Sequence, residues 1–150
     1  MQIIKDKQIV DDNWSYVADD AELKDGDISV SLARWKKDKQ HILKSNGKKG
    51  VRIGPADSVE DIAADLKDIQ LIELDFPAFA DGRLFSHAWL LRGRYKYQGE
   101  IRATGHFMRD QVYYLSRVGV NAFSLEKTED LPVALSNLDD FSVIYQKSIR

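Results

Sequence analysis

Cysteine is absent from this chain, and with it go disulfides, thiolate nucleophiles, iron–sulfur ligation and dithiol redox chemistry. No run approaches the roughly 20 apolar residues needed to span a bilayer. The opening MQIIKDKQIVDD also lacks the basic flank and apolar stretch of a secretion signal. The expected location is cytoplasmic, with no membrane partner. An excess of one charge is missing too: 22 basic and 24 acidic residues leave a formal net charge of −2. No broad field therefore favours nucleic acid. No glycine-rich dinucleotide fingerprint, Walker loop or GxSxG elbow occurs, so nothing signals a nucleotide or flavin cofactor. His87 and His106 lack a clear third ligand, and no metal site is expected.

What remains is 150 residues, 43% hydrophobic, enough for one sizeable core and one domain spanning 1–150. Gln2-Ile3-Ile4 and Gln8-Ile9-Val10 flank the polar turn Lys5-Asp6-Lys7, which predicts an N-terminal β-hairpin within residues 1–20. Ile28 to Leu32 alternates apolar and polar residues as a strand. A helix follows in which Leu32, Trp35, Ile42 and Leu43 share one side. Its Lys36, Lys37 and Lys39 read as solvated helix surface rather than a nucleic-acid site.

Gly50 to Gly54 reads as a short strand ended by Pro55, and Ser58 as the N-cap of a helix striped by Val59, Ile62, Ala63 and Leu66. The third unit begins with the interior strand Ile69 to Leu74. Leu84, Ala88, Leu91 and Tyr95 then stripe a helix, in which Gly93 calls for a packing reason. Glu100 to Thr104 is a strand and Phe107 to Val118 a helix. Ala122 to Leu125 is a strand, and Leu131, Ala134, Leu135 and Leu138 mark a last helix before a tail from Phe141. The order is that of an α/β fold, with about five βα units on a mainly parallel sheet. It fits an open doubly wound sheet or a half-barrel.

Ligand sites in such sheets lie beyond the carboxyl ends of the strands. There the sequence places Asp75, Phe76, Phe79, Asp81, Gly82, Arg83, Ser86, Arg102, His106, Arg109, Asp110 and Gln111 as candidates for binding a ligand or a partner. Arginines beside helix N-termini suit a small oxyanion held bidentately. Simpler readings stand beside these: Asp81-Gly82 as a turn, Ser86 as an N-cap, and Asp110-Gln111 as a match to the helix dipole. The aromatics Phe76, Phe79, Phe85, Trp89, Tyr95, Tyr113 and Tyr114 read mostly as core, although Phe76 and Phe79 around Pro77 suit an apolar docking surface.

The stretch LIELDFPAFADGRLFSHAWLLRGRYKYQGEIRATGHFMRDQVYYLSRVGVNAF, from Leu71 to Phe123, resembles the bacterial family called domain of unknown function nine-three-four. The resemblance rests on its spaced DFP, DGR, LLR, RA-G and DQ elements. It departs from the family at Phe85, where Tyr is frequent, at Lys96, where Gly is usual, and at Val120-Asn121, where Phe-Asp is usual. The resemblance implies a link to assimilatory sulfite reduction. The expected role is an accessory protein acting with sulfite reductase or its electron donor, because an oxidoreductase working alone would need a bound cofactor. The alternatives are a small-molecule enzyme or anion sensor at the carboxyl edge of the sheet, and a structural module without a ligand.

Overall fold

The computed structural model describes residues 1–77, 82–107 and 111–138. Strands β1 (Gln2–Lys5) and β2 (Gln8–Asp11) form the expected hairpin. Asp6 and Lys7 both take positive φ at its turn, the geometry that lets two strands meet without splaying. The chain continues through β3 (Ser15–Tyr16), β4 (Ile28–Ser31), α1 (Leu32–Lys44), β5 (Lys49–Ile53), a 3-10 segment (Val59–Asp68) and β6 (Leu71–Phe76). Then come α2 (Gly82–Trp89), a π-helical turn (Leu90–Arg94), β7 (Glu100–Gly105), α3 (Val112–Arg117) and β8 (Ala122–Phe123). A 3-10 turn (Thr128–Asp130) leads into a helix at residues 131–138, α4.

One sheet holds all eight strands, in the order β2-β1-β8-β7-β6-β5-β4-β3. From β3 to β8 each strand pairs in parallel with its successor, and β1 runs antiparallel to β8. A doubly wound sheet requires a reversal of strand order, and this sheet has none. Single winding puts the helices on one face. The structure thereby selects the half-barrel from the two closures that the alternation of elements allowed.

The chain itself shows how far the sheet curls. β2 and β3 are the two edge strands, yet only residues 12–14 connect them. Four Cα steps reach about 14 Å at most, whereas a flat sheet of eight strands would be about 34 Å wide at the usual spacing. The edges must therefore curl toward each other.

Alternation along each strand separates two faces. Val30, Val51, Ile53, Ile72, Leu74, Phe76, Ile101, Ala103 and Phe123 join the helices in one core with Trp35, Ile42, Ile62, Leu84, Leu91, Val112, Leu115, Leu131 and Leu138. Each fully buried side chain of this size contributes about 1.5–3 kcal/mol. The other face is largely polar. Register aligns Tyr16, Ser29, Gly50, Leu71 and Glu100 in one row, and Ser31, Arg52, Glu73, Arg102, Ala122 and Lys5 in the next.

Several local expectations change. The segment after Ser58 is 3-10 helical: the Asp61 N–H donates to the Ser58 carbonyl, and the i,i+3 pair Val59 and Ile62 eclipse toward the core. Ser86 is no N-cap. It lies inside α2, where its hydroxyl donates to the Gly82 carbonyl at 3.3 Å. Strand β8 ends at Phe123 rather than continuing to Leu125. The lysines of α1 are partly neutralised by carboxylates of the 3-10 segment, Lys36 with Asp61 at 2.7 Å and Lys39 with Asp65 at 2.8 Å. The tail from Phe141 lies outside the described residues, within which no helix is long and apolar enough to cross a membrane.

Candidate functional site

The carboxyl ends of the parallel strands form the mouth of the half-barrel. Asp75 and Thr104 face each other there in register, on the polar face of β6 and β7. Gly105 follows with φ +89°; a β-carbon at this position would stand 2.5 Å from the Phe76 carbonyl oxygen and 2.9 Å from Asp75 Oδ1. Only glycine lets the chain turn so closely over β6. The turn is fixed by the His106 N–H, which donates to the Phe76 carbonyl at 2.7 Å. His106 Nδ1 then meets the Glu126 carboxylate from beyond β8, both side chains being more than half exposed.

Deeper on the same face, Arg52 engages both carboxylate oxygens of Glu73, at 3.3 and 3.2 Å. Its guanidinium also lies over the Tyr16 ring, 3.8 Å from the centroid. Burial pushes the Tyr16 hydroxyl up; Arg52 opposes this, while Asp19, Glu73 and Asp75 add to it. Tyr16 therefore lies within electrostatic reach of all four charged groups.

Arg102 is buried in this face. It donates to Glu100 at 2.8 Å through Nε and again through Nη2, and to Asp12 at 3.0 Å. Lys5 adds a contact to Glu100 at 3.2 Å. Asp12 belongs to the short connection that closes the gap between the sheet edges, so Arg102 ties that connection to β7.

The sequence candidates separate into distinct places. Asp75 and His106 lie at the mouth, on either side of the Gly105 turn. Phe76 is fully buried, stacked among Phe85 and Phe107, so it is part of the core rather than of a docking surface. Gly82, Arg83 and Ser86 lie exposed on α2, and Gln111 sits just before α3. His87, one turn along α2, is buried with Nε2 unpartnered among the described residues. Phe79, Asp81, Arg109 and Asp110 lie outside the described residues.

Sequence reasoning missed Tyr16, Arg52, Glu73 and Thr104 as a group. The available signal was their period-two polarity within strands, as in Ile72-Glu73-Leu74-Asp75-Phe76. It also read Trp89 and Tyr114 as core. Trp89 is 62% exposed and Tyr114 56% exposed, because each lies on the solvent side of its helix. Gly93 has no packing reason among the described residues: it is exposed, and a β-carbon there would meet the Trp89 Cε2 at 3.9 Å, an ordinary contact distance.

Among known families, residues 50–150 match the one described as bacterial protein of unknown function (DUF934). No curated protein matches the chain. The matched region begins at β5, so β1 to β4, including both edge strands, lie outside it.

Proposed function

We propose, from the premise that the chain belongs to the DUF934 family of bacterial proteins, that it is an accessory protein of assimilatory sulfite reduction. It acts by docking to sulfite reductase or its electron donor. The observation that carries this reading is Trp89, a large aromatic side chain 62% exposed on a helix rather than in the core. Exposed with it on α2 and the following turn are Arg83, Ser86, Gly93 and Arg94. Tryptophan and arginine are the residue types that most often dominate protein–protein binding energy, and an indole left in water gains by burial against a partner.

An accessory role also fits the lack of redox chemistry in the chain itself. Without cysteine, electrons have to come from a partner or a bound cofactor. Of the arginines read for an oxyanion site, Arg102 already faces Glu100 and Asp12.

Binding of the purified protein to sulfite reductase and to its electron donor, measured by calorimetry, tests the reading. One complex should form and weaken at least tenfold in Trp89→Ala, a loss of about 1.4 kcal/mol or more. No complex with either protein at tens of micromolar rejects the accessory role. A complex that Trp89→Ala leaves unchanged moves the docking surface away from α2.

A further inference from the structure

The six parallel strands β3 to β8 share one feature at their carboxyl ends. The last residue on the polar face of β3 is Tyr16, of β4 Ser31, of β5 Arg52, of β6 Asp75 and of β7 Thr104. Ser124 follows β8 directly, its N–H held by the Ala103 carbonyl. On the opposite face the corresponding residues are apolar and buried: Val30, Ile53, Phe76, Ala103 and Phe123. A polar residue at every strand end costs stability against an apolar one unless it meets water or a ligand. In barrels of this winding, the carboxyl ends are where ligands bind.

Charge and hydrogen bonding narrow the ligand. Arg52 is neutralised by Glu73, and Arg102 by Glu100 and Asp12. Asp75 is half-buried and has no hydrogen-bond or ion-pair partner among the described residues. Ser31 already donates to Asp19 at 2.6 Å. Around Tyr16 the charges are Arg52 against Asp19, Glu73 and Asp75. Deeper in the same face, the Ser29 hydroxyl is buried without a hydrogen-bond partner among the described residues. Among the described residues the mouth thus offers an acceptor-only carboxylate, hydroxyls and an excess of negative charge.

We propose that the mouth of the half-barrel binds a small amine, its ammonium group paired with Asp75 and hydrogen-bonded to the Thr104 hydroxyl. An ammonium supplies donors where the site supplies acceptors, and it neutralises Asp75, which has no cation partner among the described residues. Gly105 keeps the approach to Asp75 clear, since a β-carbon there would lie against its carboxylate. This site is separate from the α2 face that carries Trp89 and does not depend on the docking role.

The test is amide-resolved NMR titration of the full chain with ethanolamine, putrescine and agmatine, with ethylene glycol and inorganic sulfate as neutral and anionic controls. At least one amine should shift the amides of Asp75, Thr104 and Gly105 in a saturable manner while the two controls leave them still. Asp75→Asn should weaken that binding at least tenfold, and Thr104→Val several-fold, with thermal unfolding showing both variants folded. If Asp75→Asn fails to fold, Thr104→Val decides by the same titration. Absence of shifts with all three amines, equal binding by the variants, or stronger shifts with sulfate each overturns the assignment.

Discussion

Arg92 and Gly119 occupy one volume: a β-carbon at residue 119 would stand 2.2 Å from Arg92 Cγ. The arginine reaches across this gap to donate to the carbonyls of Gly119 at 2.9 Å and of Tyr97 and Gly99, each at 2.7 Å. It clamps the π-helical turn to the entries of β7 and β8. The Leu-Leu-Arg element of the family resemblance is therefore a structural device in this chain.

Gly119→Ala should destabilise the fold by about 2–4 kcal/mol, combining the clash with Arg92 and a φ of +105° that side chains resist. Arg92→Ala should cost about 3 kcal/mol, since it leaves half-buried carbonyls without their donor. Arg92→Lys should recover little, because one ammonium cannot reproduce the planar fork. Urea denaturation of the three variants measures these losses.

Lys96 sits at φ +55° directly after the π-helical turn, in the left-handed region that glycine adopts at little cost. The usual family residue there is Gly. Lys96→Gly should stabilise the protein by about 1 kcal/mol, seen as a higher denaturation midpoint at unchanged slope. A lower midpoint would show that the lysine side chain contributes more than its backbone strain costs.

Arg102 is buried between Glu100 and Asp12, with both acidic side chains also largely shielded. Arg102→Ala should cost about 3–5 kcal/mol, because it strands a buried carboxylate without its cation. The double variant Arg102→Met with Asp12→Asn should be the more stable of the two, since it removes Arg102 together with the carboxylate it would strand, while Glu100 keeps Lys5. Comparing the two unfolding curves isolates the penalty of the lone carboxylate.

Tyr97 donates its hydroxyl to the Ile69 carbonyl at 2.9 Å, and burial holds its ionisation far above the ordinary tyrosine range. The unfolded chain ionises near pH ~10 while the folded chain stays neutral. The contribution is complete below that pH and falls at higher pH by about 1.4 kcal/mol per unit. Tyr97→Phe should flatten the alkaline loss of stability in denaturation curves recorded above pH ~9.

Much of the secondary structure was legible because it follows from spacing. Alternation in Ile28-Ser29-Val30-Ser31 and the i, i+4, i+7 stripe of Leu84, Ala88 and Leu91 each have one physical solution when an apolar face must be buried. The candidate site was legible only in part. Asp75 and His106 were named because they follow predicted strands in sequence. Arg52 and Tyr16 were not, because alternation shows which residues of a strand share a face but not which polar residues of different strands meet.

The sequence by itself determined the N-terminal hairpin, the alternating βα order, and which residues of each strand share a face. Periodicity of two or 3.6 is a local property that survives without knowledge of neighbours. Only the tertiary structure decided that the sheet is singly wound and curled, that Arg102 is occupied by Asp12 from the far end of the chain, and that Trp89 faces water. Those outcomes depend on which strands pair, and pairing is settled by burying the whole core at once rather than by any single segment.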